Sequence, residues 1–208
     1  LFTRNSENLS SDKMEVHLKT IAIQSFTLVE YTFPEETAKP HDIPDNFCVR
    51  KQIGFQAQVS CGQNEPSNSM VHLYPNVTEP SVSQPAFTFQ KKGFIDRIDQ
   101  VANVTSNSGP VNHAVCFNIW TSWGTPPNNK TPNLARLYSI PLHAVVNTPS
   151  ENIWVENRRE LLHEPNQVVN IPVGNGFVIN LTIEIPETPT YLGLTLWWNG
   201  MIWLWSEA

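Results

Sequence analysis

Hydrophobic and polar residues alternate with a period of two along several stretches of this chain. The clearest stretch, 51–61, carries its apolar residues at every second position: Ile53, Phe55, Ala57, Val59 and Cys61. Because successive strand residues point to opposite faces, this pattern predicts a half-buried strand of an antiparallel sheet. The stretch 177–185 alternates in the same way and predicts a second such strand, with Val178, Asn180, Thr182 and Glu184 on its solvent face.

The remaining chain predicts about ten strands in all and at most two short helical turns. The run 14–33 is rich in β-branched and aromatic residues, but its alternation slips twice, which predicts a bulged strand or two strands. The run 134–146 predicts a strand broken at Pro141. The run 94–104 is ambiguous, because its apolar residues recur every three or four positions and allow a short helix; 158–164 is the second place where a helical turn is allowed.

The last residues form the most apolar part of the chain. Four of the seven Trp lie within the final twelve residues, on either side of Asn199-Gly200. This dipeptide between two β-rich runs predicts a hairpin with a tight type I′ turn. The predicted hairpin has one face with Leu194, Leu196, Trp198, Met201, Trp203 and Trp205, and another with Trp197, Ile202 and Leu204.

A hairpin that is apolar on both faces must be buried away from water on both. We expect Leu196, Trp198 and Trp203 to lie in the core. The opposite face is predicted to lie nearer a dimer interface, with the residues Trp197, Ile202 and Leu204.

Composition supports one all-β domain. Only 15% of the 208 residues are charged, and 17 Pro recur along the chain, which leaves few windows for a helix. We therefore expect a flexible leader at 1–13 and a single antiparallel β-barrel or β-sandwich at 14–208. The polar start at Leu1 predicts no signal peptide and a piece of a longer polypeptide, and no membrane insertion is expected.

Charge and motifs indicate a protein that is not an enzyme. The net charge of −6 and the lack of basic clusters argue against nucleic-acid binding. The three Cys show no CxxC spacing, the six His are scattered, and the common nucleophile, metal and phosphate-binding motifs are absent. We expect no cofactor, no metal and free thiols.

One loop offers a candidate binding site. Trp123 opens the loop 124–132, which also supplies Thr125, Asn128, Asn129 and Lys130. An indole ring beside amide and hydroxyl groups suits the apolar and polar faces of a sugar. In the alternative interpretation, which we favour, Trp123 anchors the loop to the core.

In size, composition, low Cys content and apolar C-terminal run, the whole chain resembles the capsid spike (projection) domain of astroviruses. It is more similar to the avian type, such as that of turkey astrovirus, than to the human type. The resemblance implies a homodimeric spike on the virion surface, assembled in the host cytoplasm, that mediates host-cell attachment and is recognised by antibodies. It carries no motif from which a functional residue is transferred, and the receptor is either a protein or a glycan.

Two other classes of protein stay open. A carbohydrate-binding module or a phage-type receptor-binding head predicts glycan binding at an aromatic residue such as Trp123. A β-fold glycosidase predicts two facing carboxylates, for which Glu15, Glu30, Asp96, Asp99 and Glu184 are the candidates.

Overall fold

The structure is a computed structural model. It describes residues 21–33, 39, 43–63, 69–76, 86–89, 93–106, 113–123, 138–147, 150–160, 177–185 and 192–208. These residues form the strands β1 (Ile21–Thr32), β2 (Phe47–Gln63), β3 (Ser69–Leu73), β4 (Phe87–Phe89), β5 (Gly93–Ser106), β6 (His113–Trp123), β7 (Tyr138–Val146), β8 (Asn152–Glu160), β9 (Phe177–Ile185) and β10 (Leu192–Glu207). The predicted leader at 1–13 lies outside the described residues.

The strands form two antiparallel sheets that pack as a sandwich. Sheet A has the order β1-β2-β10-β5-β8. Sheet B has the order β3-β9-β6-β7, and β4 also pairs with β9. No helix occurs among the described residues. The predicted all-β, single-domain architecture is confirmed, and it takes the sandwich form.

The predicted C-terminal hairpin is wrong. Residues 192–207 form one continuous strand, β10, at the centre of sheet A. Asn199 pairs with Gln56 of β2 on one side and with Val101 of β5 on the other. Neither Asn199 nor Gly200 has a positive φ, so the dipeptide makes no turn.

The continuous strand changes which residues share a face. Ile202 and Leu204 are fully buried in the core between the sheets, as are Leu196 and Trp198. Trp197 and Trp203 instead point to the other side of sheet A and are half-buried. The core positions predicted for Leu196 and Trp198 are therefore confirmed, whereas the core position predicted for Trp203 is wrong. The predicted grouping of Trp197 with Ile202 and Leu204 is also wrong.

The core lies between the two sheets and is centred on Trp198. The Trp198 ring meets Phe55 edge-on at 4.8 Å between centroids and tilts against Phe117 of sheet B at 5.5 Å. Its Nε1 donates to Oε1 of Gln100 at 3.1 Å, and Nε2 of Gln100 donates to the carbonyl of Ile140 in sheet B at 3.4 Å. This pair of hydrogen bonds joins the two sheets through an otherwise apolar core.

Neither of the two places where a short helical turn was allowed is helical where the structure describes it, in line with the prediction of at most two. Residues 94–104 lie within β5, and 158–160 lie within β8. In β5, Arg97 pairs with Trp203 and Ile95 with Leu204, so Asp96 is the extra residue of a bulge. The bulge places Ile95 and Ile98 on the same face three residues apart, and this spacing mimics that of a helix.

Two further strand predictions need correction. Asn180 and Thr182 of β9 are fully buried, so the face predicted to meet solvent is covered. β7 continues through Pro141, which pairs with Asn118. Proline is tolerated there because β7 is the last strand of sheet B and needs no donor on its free side. By contrast, the predicted bulge of β1 is confirmed between Ile23 and Ser25.

Candidate interaction surface

The side of sheet A that points away from sheet B is the most open apolar surface among the described residues. Strand register places alternate residues of five strands on this outer face. Four of its large apolar side chains are exposed: Val29 at 67%, Tyr31 at 54%, Trp154 at 62% and Met201 at 42%. Because large apolar side chains gathered on one face mark interaction sites more often than scattered ones do, this face is the candidate functional surface.

One end of the outer face, which we call the indole end, carries two Trp side chains. Trp197 of β10 and Trp154 of β8 both pair with Asn103 of β5, which lies between them. Their rings meet edge-on, with 5.6 Å between centroids and an interplanar angle of 62°. Trp154 thus presents an exposed ring supported by a second indole.

Amide and hydroxyl groups surround these rings. Asn103 Nδ2 donates to Asn152 Oδ1 and to the carbonyl of Ile153 at 3.1 Å, and Asn103 Oδ1 accepts from Thr105 Oγ1 at 3.1 Å. These bonds hold Asn103 in a single orientation. On the next strands, Thr195, Gln58 and Ser60 continue the polar, uncharged surface.

The other end of the outer face, the apolar end, combines exposed apolar groups with paired charges. Val29, Tyr31 and Met201 lie there, and Nε2 of Gln52 lies 3.1 Å from the Met201 sulfur. Arg97 stacks over the Trp203 ring with its Cζ 4.5 Å from the ring centroid.

Asp99 balances the basic side chains at this end. Arg97 makes two hydrogen bonds to its carboxylate, through Nε at 3.0 Å and through Nη2. Arg158 Nε lies 3.9 Å from Asp99 Oδ1. With Glu156 on the neighbouring position of the face, the formal charges of Arg97, Arg158, Asp99 and Glu156 cancel. Charges of both signs therefore alternate at the apolar end, although the chain as a whole has a net charge of −6.

Beyond the apolar end, a small second core covers sheet A. Ile43 and Phe47 pack on Trp205, which is 2% exposed. The Arg50 guanidinium lies over the Trp205 ring at 5.0 Å and forms an ion pair with Asp96 at 2.5 Å. Burial raises the pKa of Asp96 above its ordinary range, and the opposing effect of Arg50 only partly offsets it.

The outer face of sheet B is largely closed. Asn118, Trp120, Asn180 and Thr182 are all at most 3% exposed. Trp120 Nε1 donates to Thr182 Oγ1 at 3.1 Å, and Ser139 Oγ donates to Asn118 Oδ1 at 2.7 Å. The middle of this face is therefore a buried polar layer, whereas Met70 and Val145 are exposed on its two edge strands.

Sheet B does bring together three residues with reactive side chains. Cys116 of β6 pairs with Glu184 of β9 on one side and with His143 of β7 on the other. His143 and Glu184 lie 27 and 68 positions after Cys116 in the sequence, so only the strand register shows that the three residues are neighbours across the sheet. Among the described residues, no group of three His, Cys, Asp or Glu side chains is placed to hold a metal ion.

The predicted glycan loop is not described. Trp123 ends β6 and its backbone pairs with Phe177, but its side chain and residues Thr125, Asn128, Asn129 and Lys130 lie outside the described residues. Of the residues predicted near a dimer interface, Trp197 lies on the outer face, whereas Ile202 and Leu204 are inside the core. Trp154 was missed because its sequence neighbourhood, 152–160, is mostly polar.

In the part of the chain that the structure describes, no helix has the length and apolar character needed to cross a membrane. The three cysteines form no disulfide bond with one another. In comparisons with known proteins, no family model and no curated protein matched this sequence.

Proposed function

We propose that this chain is a non-enzymatic attachment domain that projects from a viral capsid and binds the surface of a host cell. The observation that carries the proposal is the outer face of sheet A, where Trp154, Met201, Tyr31 and Val29 are exposed on a rigid five-stranded scaffold. A protein rarely exposes several large apolar side chains on one face unless that face binds a partner. The resemblance to astrovirus spikes points in the same direction and adds antibody recognition at the virion surface.

The side chains of the outer face are better suited to binding a partner than to catalysis. The polar groups of the outer face are mainly amides, hydroxyls and mutually paired charges, and Asp99 is neutralised by two arginines. These groups provide hydrogen bonds and shape without a carboxylate pair poised to exchange protons.

Saturable binding to cells tests the attachment function. We expect the fluorescently labelled chain to bind cultured avian cells until its sites are filled, and unlabelled chain to compete for the same sites. Binding that rises without saturation, or that unlabelled chain does not reduce, would contradict the proposal.

A second copy of the chain is the proposed partner at the apolar end. Like-charge repulsion between two acidic chains opposes association, but at this end Arg97 and Arg158 offset the charges of Asp99 and Glu156. In a two-fold contact each Arg158 can approach the Asp99 or Glu156 of the other copy, so the surface is self-complementary. Val29, Tyr31 and Met201 supply the apolar contacts.

Light scattering tests this association. We expect a mass of twice 23.5 kDa for the wild type and of 23.5 kDa for Met201→Glu, which places an unpaired charge in the contact. Val145→Glu is the matched control, because Val145 is 46% exposed on the outer face of sheet B, and it should leave the dimer intact. A monomeric wild type, or equal effects of both variants, would contradict the proposed partner.

A further inference from the structure

We infer that the indole end of the outer face binds an uncharged glycan, with Trp154 as the stacking platform. The inference rests on the proposed attachment function and names the ligand class for it. Trp154 is 62% exposed although it is one of the largest apolar side chains, and its ring is held against Trp197. A fixed, solvent-facing indole offers a π face on which the C–H groups of a sugar ring pack.

The neighbouring polar groups match the hydroxyl groups of a sugar. Asn103 uses its amide nitrogen on Asn152 and Ile153 and its oxygen on Thr105. Since Asn103 holds the Asn152 oxygen, the Asn152 amide nitrogen is the group left to donate to a ligand. Thr195 and Gln58 add a hydroxyl and a second amide beside Trp197. Sites of this kind combine an apolar surface with a few positioned hydrogen-bonding groups.

Charge selects a neutral ligand over an acidic one. Strand pairing places Trp154 and Asn152 each in a row of residues that runs across sheet A. In both rows, the described side chains on the outer face are uncharged. The nearest charged residue on this face of β8 is Glu156, which repels carboxylates and sulfates. The net charge of −6 has the same effect at longer range. Among the described residues, an acidic sugar therefore has no cationic partner at the indole end.

The site is compatible with the proposed dimer. Met201 and Trp197 are four residues apart on β10, which separates the apolar end from the indole end by about 13 Å. Two copies joined at their apolar ends would present two indole ends, so binding to a cell surface would gain from multivalency.

Nuclear magnetic resonance with defined oligosaccharides tests the inference. The probes are neutral oligosaccharides that end in galactose, N-acetylglucosamine or fucose, together with sialylated versions of the same chains and heparin. We expect the neutral probes to shift the indole N–H signals of Trp154 and Trp197, and not that of buried Trp198. Trp154→Ala should weaken binding roughly tenfold, because the stacking surface is lost.

Val145→Ala is the control. Val145 is also an exposed large apolar residue, but it lies on β7 in sheet B, away from the outer face of sheet A. We expect Val145→Ala to leave oligosaccharide binding unchanged. Both side chains are exposed, so both variants should fold, and circular dichroism checks this.

Several results would overturn the inference: no shift with any neutral probe, equal losses in Trp154→Ala and Val145→Ala, or tighter binding of the sialylated probes or heparin. A Trp154→Ala variant that turns a dimer into a monomer would assign the indole end to contact between copies. Saturable cell binding that Trp154→Ala leaves intact would end the glycan inference and keep the attachment function. Oligosaccharide binding without saturable cell binding would keep the glycan inference and contradict the attachment function.

Discussion

The ring of Phe55 occupies the space that a side chain at position 200 would need. A Cβ atom on Gly200 would overlap the Phe55 ring and would lie 3.1 Å from the Asp99 carbonyl oxygen. Glycine in the middle of a strand often marks such a close approach. At Gly200 it lets Phe55 cross β10 and reach Trp198, so the Asn199-Gly200 dipeptide serves packing and not chain reversal.

We predict that Gly200→Ala destabilises the protein by about 1–3 kcal/mol, because the added methyl group forces Phe55 out of its place in a tightly packed core. Urea denaturation measures the change. Gly54→Ala is the control, since a Cβ at Gly54 meets no atom within 4 Å, and it should change stability by less than about 0.5 kcal/mol. Equal losses for the two variants would contradict the role assigned to Gly200.

We predict that Gln100→Leu costs about 1–3 kcal/mol, because it leaves the Trp198 indole N–H and the Ile140 carbonyl buried without their partner. Trp198→Phe removes the indole donor itself. The double variant should therefore lose less stability than the sum of the two single-variant losses. We expect the difference, the coupling energy, to be about 0.5–3 kcal/mol. Additive losses in urea denaturation would show that the Trp198–Gln100 bond does not join the sheets as described.

We predict an unusual pH dependence at Asp96. Burial raises its folded-state pKa above the ordinary 3.8, so the folded protein binds this proton more tightly than the unfolded chain does. The stability that Asp96 contributes is therefore fully present below pH 3.8 and is lost as the pH rises through the folded-state pKa. In urea denaturation, the wild type should lose stability relative to Asp96→Asn over this window.

The exposed residue Asp45 provides the control for that experiment, because Asp45→Asn removes one negative charge without touching a buried ion pair. A wild type that gains stability relative to Asp96→Asn as the pH rises would contradict the prediction. That result would mean that attraction to Arg50 outweighs the cost of burying the carboxylate.

The strands with a strict period of two were predictable from the sequence. Ile53 to Cys61 alternates without interruption, and the structure buries all five of its apolar residues as expected. The bulge of β1 was also visible as a slip in the pattern. The bulge at Asp96 was not, because one extra residue converts the spacing of β5 into one that a helix shares.

The outer face of sheet A was only partly predictable. Trp197 stood out in the sequence as an aromatic residue in need of a partner. Trp154, its neighbour in space, lies 43 positions earlier in a mostly polar stretch, and only the pairing of β5 with β8 and β10 brings the two together.

The sequence by itself determined the all-β class and the apolar character of the C-terminal run, because alternation and composition are local properties that survive any arrangement of strands. The tertiary structure alone decided that this run is one central strand and which of its residues reach the outer face. Both depend on register across strands far apart in the chain. At Gly200 the missing side chain makes room for the Phe55 ring within a continuous strand, a packing role that the turn preference of Asn-Gly does not reveal.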